Sequence, residues 1–199
     1  MAITNGYCTL AEFKAYANIT STNSPDDAVI EDIIESTSRV IDAECRRHFY
    51  QVTEARYFRA NDLDVLFCGD IASTSGLEIK SQLNSDGSYQ YTWASTDYNL
   101  LPYSPRFGFP YTSIEISTQS NYSFDLLKKG NKITAVWGWA AVPDEIKTAC
   151  LEESMNEYRR RSGENTNTTA TVTGAGVVLS PQGLSKNTIL KLARFRSIL

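Results

Sequence analysis

The side chains with the widest chemical repertoire in this 199-residue chain are four cysteines and a single histidine. Cys8, Cys45, Cys68 and Cys150 lie far apart in the sequence, and their spacing is typical neither of a zinc site nor of a redox Cys-x-x-Cys pair. Reduced thiols that pack as small apolar side chains are the simplest interpretation. Because His48 is the only histidine, a site built from several histidines is excluded, and we interpret His48 as a residue near the end of a helix.

Motifs of the common catalytic classes are absent from the sequence. It contains no GxxxxGK[ST] phosphate loop, no GxGxxG dinucleotide loop, no HExxH zinc motif and no GxSxG nucleophile motif. Neighbouring carboxylates, such as Asp62 with Asp64, lack the histidine, glycine-loop or metal context that would indicate chemistry. Two distant carboxylates of the kind that a glycosidase uses remain an open alternative. We expect no enzymatic activity, no metal and no cofactor.

Charge is distributed unevenly along the chain. The whole sequence has 19 basic and 23 acidic residues, which gives a net charge of −4. Residues 159–199 contain seven basic residues against Glu164 alone, so they carry +6 and residues 1–158 carry −10. The acidic body opposes capture of nucleic acid by the surface as a whole. The basic tail predicts docking on an acidic partner. A solvated tail without a partner is the alternative, although it would leave the apolar residues of the tail without a role.

Signals for membrane insertion and secretion are not seen in the sequence. No apolar run approaches the ~18 residues that a membrane span requires. The N-terminal segment MAITNGYCTLAEF has neither the basic start nor the apolar stretch of a secretory signal. We therefore expect no membrane partner.

Four helices are predicted from capping residues and from apolar residues at helical spacing. The first begins with a capping box formed by Thr9 and Glu12. The second begins at Pro25 and carries one broad apolar face, and the third begins at Pro143 with an acidic first turn and a basic last turn. The four helices span about residues 9–18, 25–48, 143–161 and 185–198.

Glu44 is the one anomaly of the second helix, because it lies near the centre of the apolar arc. A buried carboxylate at that position could have a functional role. The alternative is a structural ion pair, since a buried charge needs a partner. Arg47 and Arg56 are the candidate partners for that pair.

The spacing of apolar residues changes from helical to alternating after the second helix. Short alternating or apolar runs separated by turn residues predict six or seven strands within about residues 51–140. The predicted fold class is therefore α+β, with a helical bundle frame of about four helices and an antiparallel β insertion between the second and third helices. Residues 1–161 form the predicted body. Residues 162–199 form a tail, in which a polar loop at 162–176, disordered or ordered only by a neighbour, precedes the last helix.

The order of these elements, together with four sequence blocks, resembles the head–tail connector proteins of long-tailed double-stranded DNA bacteriophages, which are also called adaptor or head-completion proteins. The blocks are YCTLAEFKAYANIT at 7–20, VIDAECRRHFY at 40–50, TWASTDYNLLP at 92–102 and ITAVWGWAAVPDEIKTAC at 133–150. In the second block the matching residues include Ile41, Asp42, Arg47 and Phe49. The most specific match is the core motif of the fourth block, formed by Trp137, Gly138, Trp139 and Pro143. The chain departs from the family pattern at Ala135 and Glu44.

This resemblance implies a structural protein of the virion neck, made in the host cytoplasm. Such proteins form a ring, usually of twelve copies, that joins the portal to a downstream stopper or tail protein. Genomic DNA passes through the ring without sequence-specific binding. The resemblance also implies that the C-terminal segment docks on the portal protein, through Leu184, Ile189, Leu190, Leu192, Ala193, Arg194, Phe195 and Arg196 in this sequence.

Two other functions remain open at this point. The chain could be another neck or tail-completion protein, such as a stopper or a tail terminator. The predicted helical frame argues against that assignment, because those proteins are mostly β. A carbohydrate-binding or hydrolytic module that uses the aromatic residues of 98–111 is the third interpretation.

Overall fold

The computed structural model describes residues 3–21, 25–82, 87–106, 108–161, 168–173, 176–181 and 183–197. The chain divides into two compact units, each defined by contacts among its own residues. We call residues 1–48 with 142–199 the helical unit, and residues 49–141 the sheet unit.

The helical unit contains four α-helices in its described part. They are α1 (Leu10–Tyr16), α2 (Asp27–Cys45), α3 (Asp144–Arg161) and α4 (Lys186–Leu192), and a 3₁₀ turn at Ala193–Phe195 follows α4. Each helix lies at a predicted position, but α1, α2 and α4 are shorter than predicted. The second helix ends at Cys45 because Arg46 adopts a left-handed conformation with φ 54°, so Arg47 and His48 lie beyond the helix. The predicted end of the last helix at 198 lies outside the described residues.

The core of the helical unit forms where the apolar face of α2 meets α3 and α4. From α2 the buried side chains include Ile30, Ile34 and Ile41. The residues buried from the other elements are Phe13, Ile146, Ala149, Cys150, Leu192 and Phe195. Ser38 makes polar contacts within this core. Its Oγ accepts a hydrogen bond from the Tyr7 amide at 3.0 Å and donates one to the Ile34 carbonyl at 2.8 Å.

The sheet unit contains a six-stranded antiparallel sheet. Its strands are β1 (Val52–Phe58), β2 (Val65–Ser81), β3 (Tyr91–Thr92), β4 (Tyr98–Leu101), β5 (Tyr111–Ile116) and β6 (Asn131–Trp137). The strand order is β1-β6-β2-β5-β4, and β3 pairs with the end of β2. The α+β class with four helices and an antiparallel sheet is thus confirmed. The description as a helical bundle frame with an insertion is too simple, because the sheet is large enough to hold its own core.

The second strand differs most from the short strands that the sequence predicts within residues 51–140. The structure has one 17-residue strand. Its register against β6 shifts between Ser73 and Glu78, and Gly69 and Gly76 adopt positive φ angles of 88° and 73°. Glycine accepts this conformation without steric cost, so the strand bends at these bulges and continues.

A second hairpin lies where the sequence predicted a polar loop. Strands β7 (Thr168–Thr173) and β8 (Gly176–Pro181) pair with each other in antiparallel register. The threonines of this stretch were interpreted as polar loop residues, but threonine is β-branched and also favours strands. The remaining loop residues 162–167, 174 and 175 lie outside the described residues, as does most of the predicted turn at 84–87.

Trp137, at the end of β6, belongs to the core of the sheet unit. The Trp137 side chain is fully buried, its indole N–H donates to the Glu54 carbonyl at 2.9 Å, and the guanidinium of Arg56 lies 4.4 Å from its ring centroid. Gly138 follows with φ 105° and donates its N–H to the Asp70 carbonyl at 2.9 Å. The chain leaves the sheet at this glycine, since β6 ends at Trp137.

Trp139 packs among aromatic rings of the sheet unit. Its ring centroid lies 5.2 Å from that of Phe49 and 4.8 Å from that of Phe109, and its indole N–H donates to Asp70 Oδ2 at 3.2 Å. Offset and tilted aromatic contacts of this kind add to the free energy gained by burial. The motif therefore closes the end of the sheet unit.

We expect Trp139→Ala to lower the free energy of unfolding by about 3–5 kcal/mol, because it leaves a large cavity beside Phe49. Urea unfolding followed by circular dichroism measures this change. The control is Phe67→Ala, which removes a ring that is 61% exposed and should change stability by less than about 0.5 kcal/mol. A loss below about 1 kcal/mol for Trp139→Ala would show that the ring is not a core element.

Candidate functional site

The residues of the second block that match the family pattern make contacts that stabilise the fold. Ile41 is fully buried, and Phe49 packs on Trp139 in the sheet unit. Asp42 accepts a hydrogen bond from the Tyr7 hydroxyl and lies 3.3 Å from Arg39 Nε. Burial raises the pKa of Asp42, although the Tyr7 hydrogen bond and the Arg39 charge act in the opposite direction. Asp42 therefore ties the N-terminal segment to α2.

The cysteines also have structural surroundings. All four are buried and free. Burial raises the pKa of Cys45 to about 11 and that of Cys68 to about 12. Cys150 Sγ lies 3.6 Å from Cys8 Sγ and 3.4 Å from Ser38 Oγ, and the hydrogen bond from Cys8 lowers the pKa of Cys150. Because a thiolate reacts only where a substrate can reach it, these buried thiols do not form a catalytic site.

No metal-binding or membrane-spanning feature is found in the described ranges. No group of three or more His, Cys, Asp or Glu residues there could hold a metal ion. In the part of the chain that the structure describes, none of the helices combines the length and apolar character of a membrane span.

The C-terminal segment is held on the helical unit by buried and ionic contacts. At its start, Glu153 of α3 is 5% exposed, and its Oε1 accepts hydrogen bonds from the Ser185 amide at 2.9 Å and the Thr188 hydroxyl at 2.6 Å. At its end, the Ser197 amide donates to the Cys45 carbonyl at 2.8 Å. Both ends of the segment are therefore attached to α2 or α3.

Ion pairs join the basic residues of this segment to acidic residues of the same unit. Lys191 pairs with Glu152 at 2.6 Å, and Arg194 pairs with Glu145 at 2.7 Å. Arg196 pairs with Glu44. The prediction that Arg47 or Arg56 is the partner of that carboxylate is therefore wrong. Arg47 and Arg56 lie near Glu44 in the sequence, whereas Arg196 is distant. Packing of the C-terminal turn brings Arg196 to the end of α2. Exposed pairs each contribute little to stability, but here they neutralise much of the basic charge of the tail.

The predicted portal-binding residues fall on two sides of the C-terminal segment. Leu192 and Phe195 are 0% and 1% exposed, and Leu184 and Ile189 are half-buried. Leu190 is 75% exposed, and Ala193, Arg194 and Arg196 are exposed. The segment thus uses one side to complete the core of the helical unit and presents Leu190 to solvent. This exposed side is the candidate docking site.

Pro143, the last residue of the core motif of the fourth block, lies one residue before α3. Its carbonyl accepts a hydrogen bond from the Lys147 amide at 3.0 Å, which is the first bond of the helix. The fixed φ angle of proline favours the start of a helix, so this residue determines where α3 begins.

Comparison with known proteins gives a likeness in fold. No family model matches the chain, and no curated protein matches its sequence. A chain from the neck of the empty gene transfer agent (GTA) particle, computed with C6 symmetry, aligns with a TM-score of 0.61 and 14% identity over 100% of this chain and 94% of that chain. A chain from the neck of the native GTA particle, computed with C12 symmetry, gives 0.56 and 13%, over 100% and 93%.

A third match, a chain from the virion of the native GTA particle, gives a TM-score of 0.55 and 14% identity over 100% and 94% of the two chains. The alignments extend over the whole of this chain, so both units take part in them. The predicted resemblance to neck proteins of phage-type particles is confirmed at the level of fold.

The buried contact between α3 and α4 leads to a direct prediction. We expect Thr188→Val to lower the free energy of unfolding by about 1–3 kcal/mol, because the Glu153 carboxylate loses a buried donor while the shape of the side chain is kept. Hydrogen exchange of the α4 amides, with urea unfolding, measures the effect. Thr53→Val, at an exposed strand position, is the control. Unchanged exchange in α4 would show that Glu153 does not hold the segment.

Proposed function

We propose that this chain is a structural protein of the neck of a phage-type particle. In this proposal it forms an adaptor ring that joins the portal vertex of a DNA-filled head to the next neck or tail component. The observation that carries the proposal is the fold shared over the whole chain with chains of the GTA neck. The burial of the four cysteines and the presence of a single histidine agree with a structural role.

Twelve copies of the chain form the proposed ring. The support is that one of the similar chains comes from a neck computed with C12 symmetry. The ring extends the channel through which the genome passes. The net charge of −4 supports this role, because an acidic chain opposes retention of DNA by its surface as a whole. The protein is made in the host cytoplasm and joins the virion after assembly of the head.

The portal contact is assigned to the exposed side of the C-terminal segment. Leu190 is its most exposed large apolar residue, and Ala193 and Arg194 lie on the same exposed side. Leu192 and Phe195 support the contact from within, because they fix the segment on the helical unit. Deletion of the whole segment is therefore a poor test, since it also removes two core side chains.

Electron microscopy of a mixture of the purified protein with its cognate portal tests the proposal. The expected result is a ring that caps the narrow end of the portal, with the symmetry visible in the images. A protein that ignores the portal and joins tail tubes would instead be a stopper or a tail terminator. Binding to an oligosaccharide array without binding to the portal would support the carbohydrate-binding module.

We expect Leu190→Asp to weaken portal binding at least tenfold without changing the melting temperature, because an exposed apolar contact is replaced by a charge. Biolayer interferometry with immobilised portal measures the affinity, and thermal unfolding checks the fold. Leu63→Asp is the matched control, since Leu63 is also an exposed leucine but lies in the sheet unit. Equal affinities of the two variants would exclude Leu190 from the portal contact.

A further inference from the structure

The outer face of the sheet unit carries a cluster of cations around two tyrosine rings. The rings of Tyr57 and Tyr89 lie 5.7 Å apart. Lys129 Nζ is 5.9 Å from the centroid of Tyr57, and Lys132 Nζ is 5.9 Å from the centroid of Tyr89. Arg59 lies near this cluster, because its Nε donates a 3.0 Å hydrogen bond to the Leu126 carbonyl, three residues before Lys129. Lys128 is exposed and precedes Lys129 in the sequence. We call the set the basic face: Tyr57, Tyr89, Arg59, Lys128, Lys129 and Lys132.

The cations of the basic face have no acidic partner among the residues that the structure describes. Lys80, opposite Lys132 in the register, is paired with Glu78 at 2.8 Å. No such pair is found in the described ranges for Arg59, Lys128, Lys129 or Lys132. Four unneutralised cations in a chain of net charge −4 produce a local positive potential that favours an acidic surface. Exposed tyrosine and arginine are also the residue types that contribute most to protein interfaces.

The helical unit presents the opposite charge on the exposed side of α2. Asp32 and Glu35 lie within one turn of each other, and we call them the acidic face. The Glu35 carboxylate also accepts a hydrogen bond from the Asn5 amide at 3.3 Å. No cation pairs with Asp32 or Glu35 among the described residues, and the nearby Arg39 contacts Asp42 at 3.3 Å. Like charges at this spacing destabilise a helix slightly. A basic partner surface would remove that repulsion.

We infer that the basic face of one copy binds the acidic face of α2 in the next copy. The inference rests on the proposed ring. Cyclic symmetry above twofold requires a contact between two different patches of the same chain, so that each copy binds its neighbours head to tail. The basic face and the acidic face are two such patches. Their charges also prevent the pairing of like faces.

Double-stranded DNA is the competing partner for the basic face, because phosphates also attract lysine and arginine. The second copy is favoured because the chain itself carries the complementary acidic face and has a net negative charge. Fluorescence anisotropy with a short DNA duplex at low salt distinguishes the two. DNA binding that is lost on Lys129→Glu/Lys132→Glu, with self-association unchanged, would overturn the inference.

Two charge-reversal variants test the contact between copies. The first is Lys129→Glu/Lys132→Glu, which makes both faces acidic, and the second is Asp32→Lys/Glu35→Lys, which makes both faces basic. Analytical ultracentrifugation should show wild-type self-association that weakens with salt, and at least tenfold weaker association for each variant alone. An equimolar mixture of the two variants should associate again, because each then meets a face of opposite charge. Arg106→Glu/Lys186→Glu changes the charge by the same amount outside the basic face and should associate like wild type.

Other results would contradict the inference in distinguishable ways. Variants that associate like wild type, a mixture that stays dissociated although both variants melt like wild type, or a wild-type chain that remains monomeric at low salt and at its highest soluble concentration would overturn the contact. Rings of either variant on the portal would overturn it too, while leaving the proposed neck function intact. Failure of the wild-type chain to bind the portal would count against the neck function instead.

Discussion

Packing of α2 on α3 is the interaction on which the helical unit depends, because the whole sheet unit separates these two helices in the sequence. Ile34 and Ile41 meet Ile146 and Cys150 in a core from which solvent is excluded. Removal of this apolar surface from water is the main favourable contribution to the free energy of folding. The hydrogen bonds of Ser38 satisfy the polar groups within the core. Without this contact neither α1 nor α4 would have a surface on which to pack.

The C-terminal segment combines a structural and a proposed binding role by dividing them between its two sides. Leu192 and Phe195 complete the core, and the Glu153 carboxylate holds the start of α4. Leu190 on the other side remains exposed. A docking element that is already fixed loses less conformational entropy on binding than a disordered one. This arrangement is consistent with the proposed portal contact.

Local patterns predicted those elements whose structure depends on nearby residues. The capping box of Thr9 and Glu12, the apolar face of α2 and the alternation along β6 all correspond to observed elements. The single long β2 strand was not predicted, because its bulge near Gly69 depends on pairing with β5 and its bulge near Gly76 on pairing with β6. The pair between Arg196 and Glu44 depends on packing between residues 152 positions apart, which no local pattern contains. The sequence predicts a docking role for the C-terminal segment, but it does not separate the buried side of that segment from its exposed side.

The proposed position of this chain in the neck of a phage-type particle can be observed directly. The most direct test is a cryo-electron microscopy reconstruction of the neck of the particle that carries this chain. We expect a ring of this fold directly below the portal, with both the helical and the sheet unit visible in each copy. A neck whose density below the portal is fully explained by other proteins would contradict the proposed neck function.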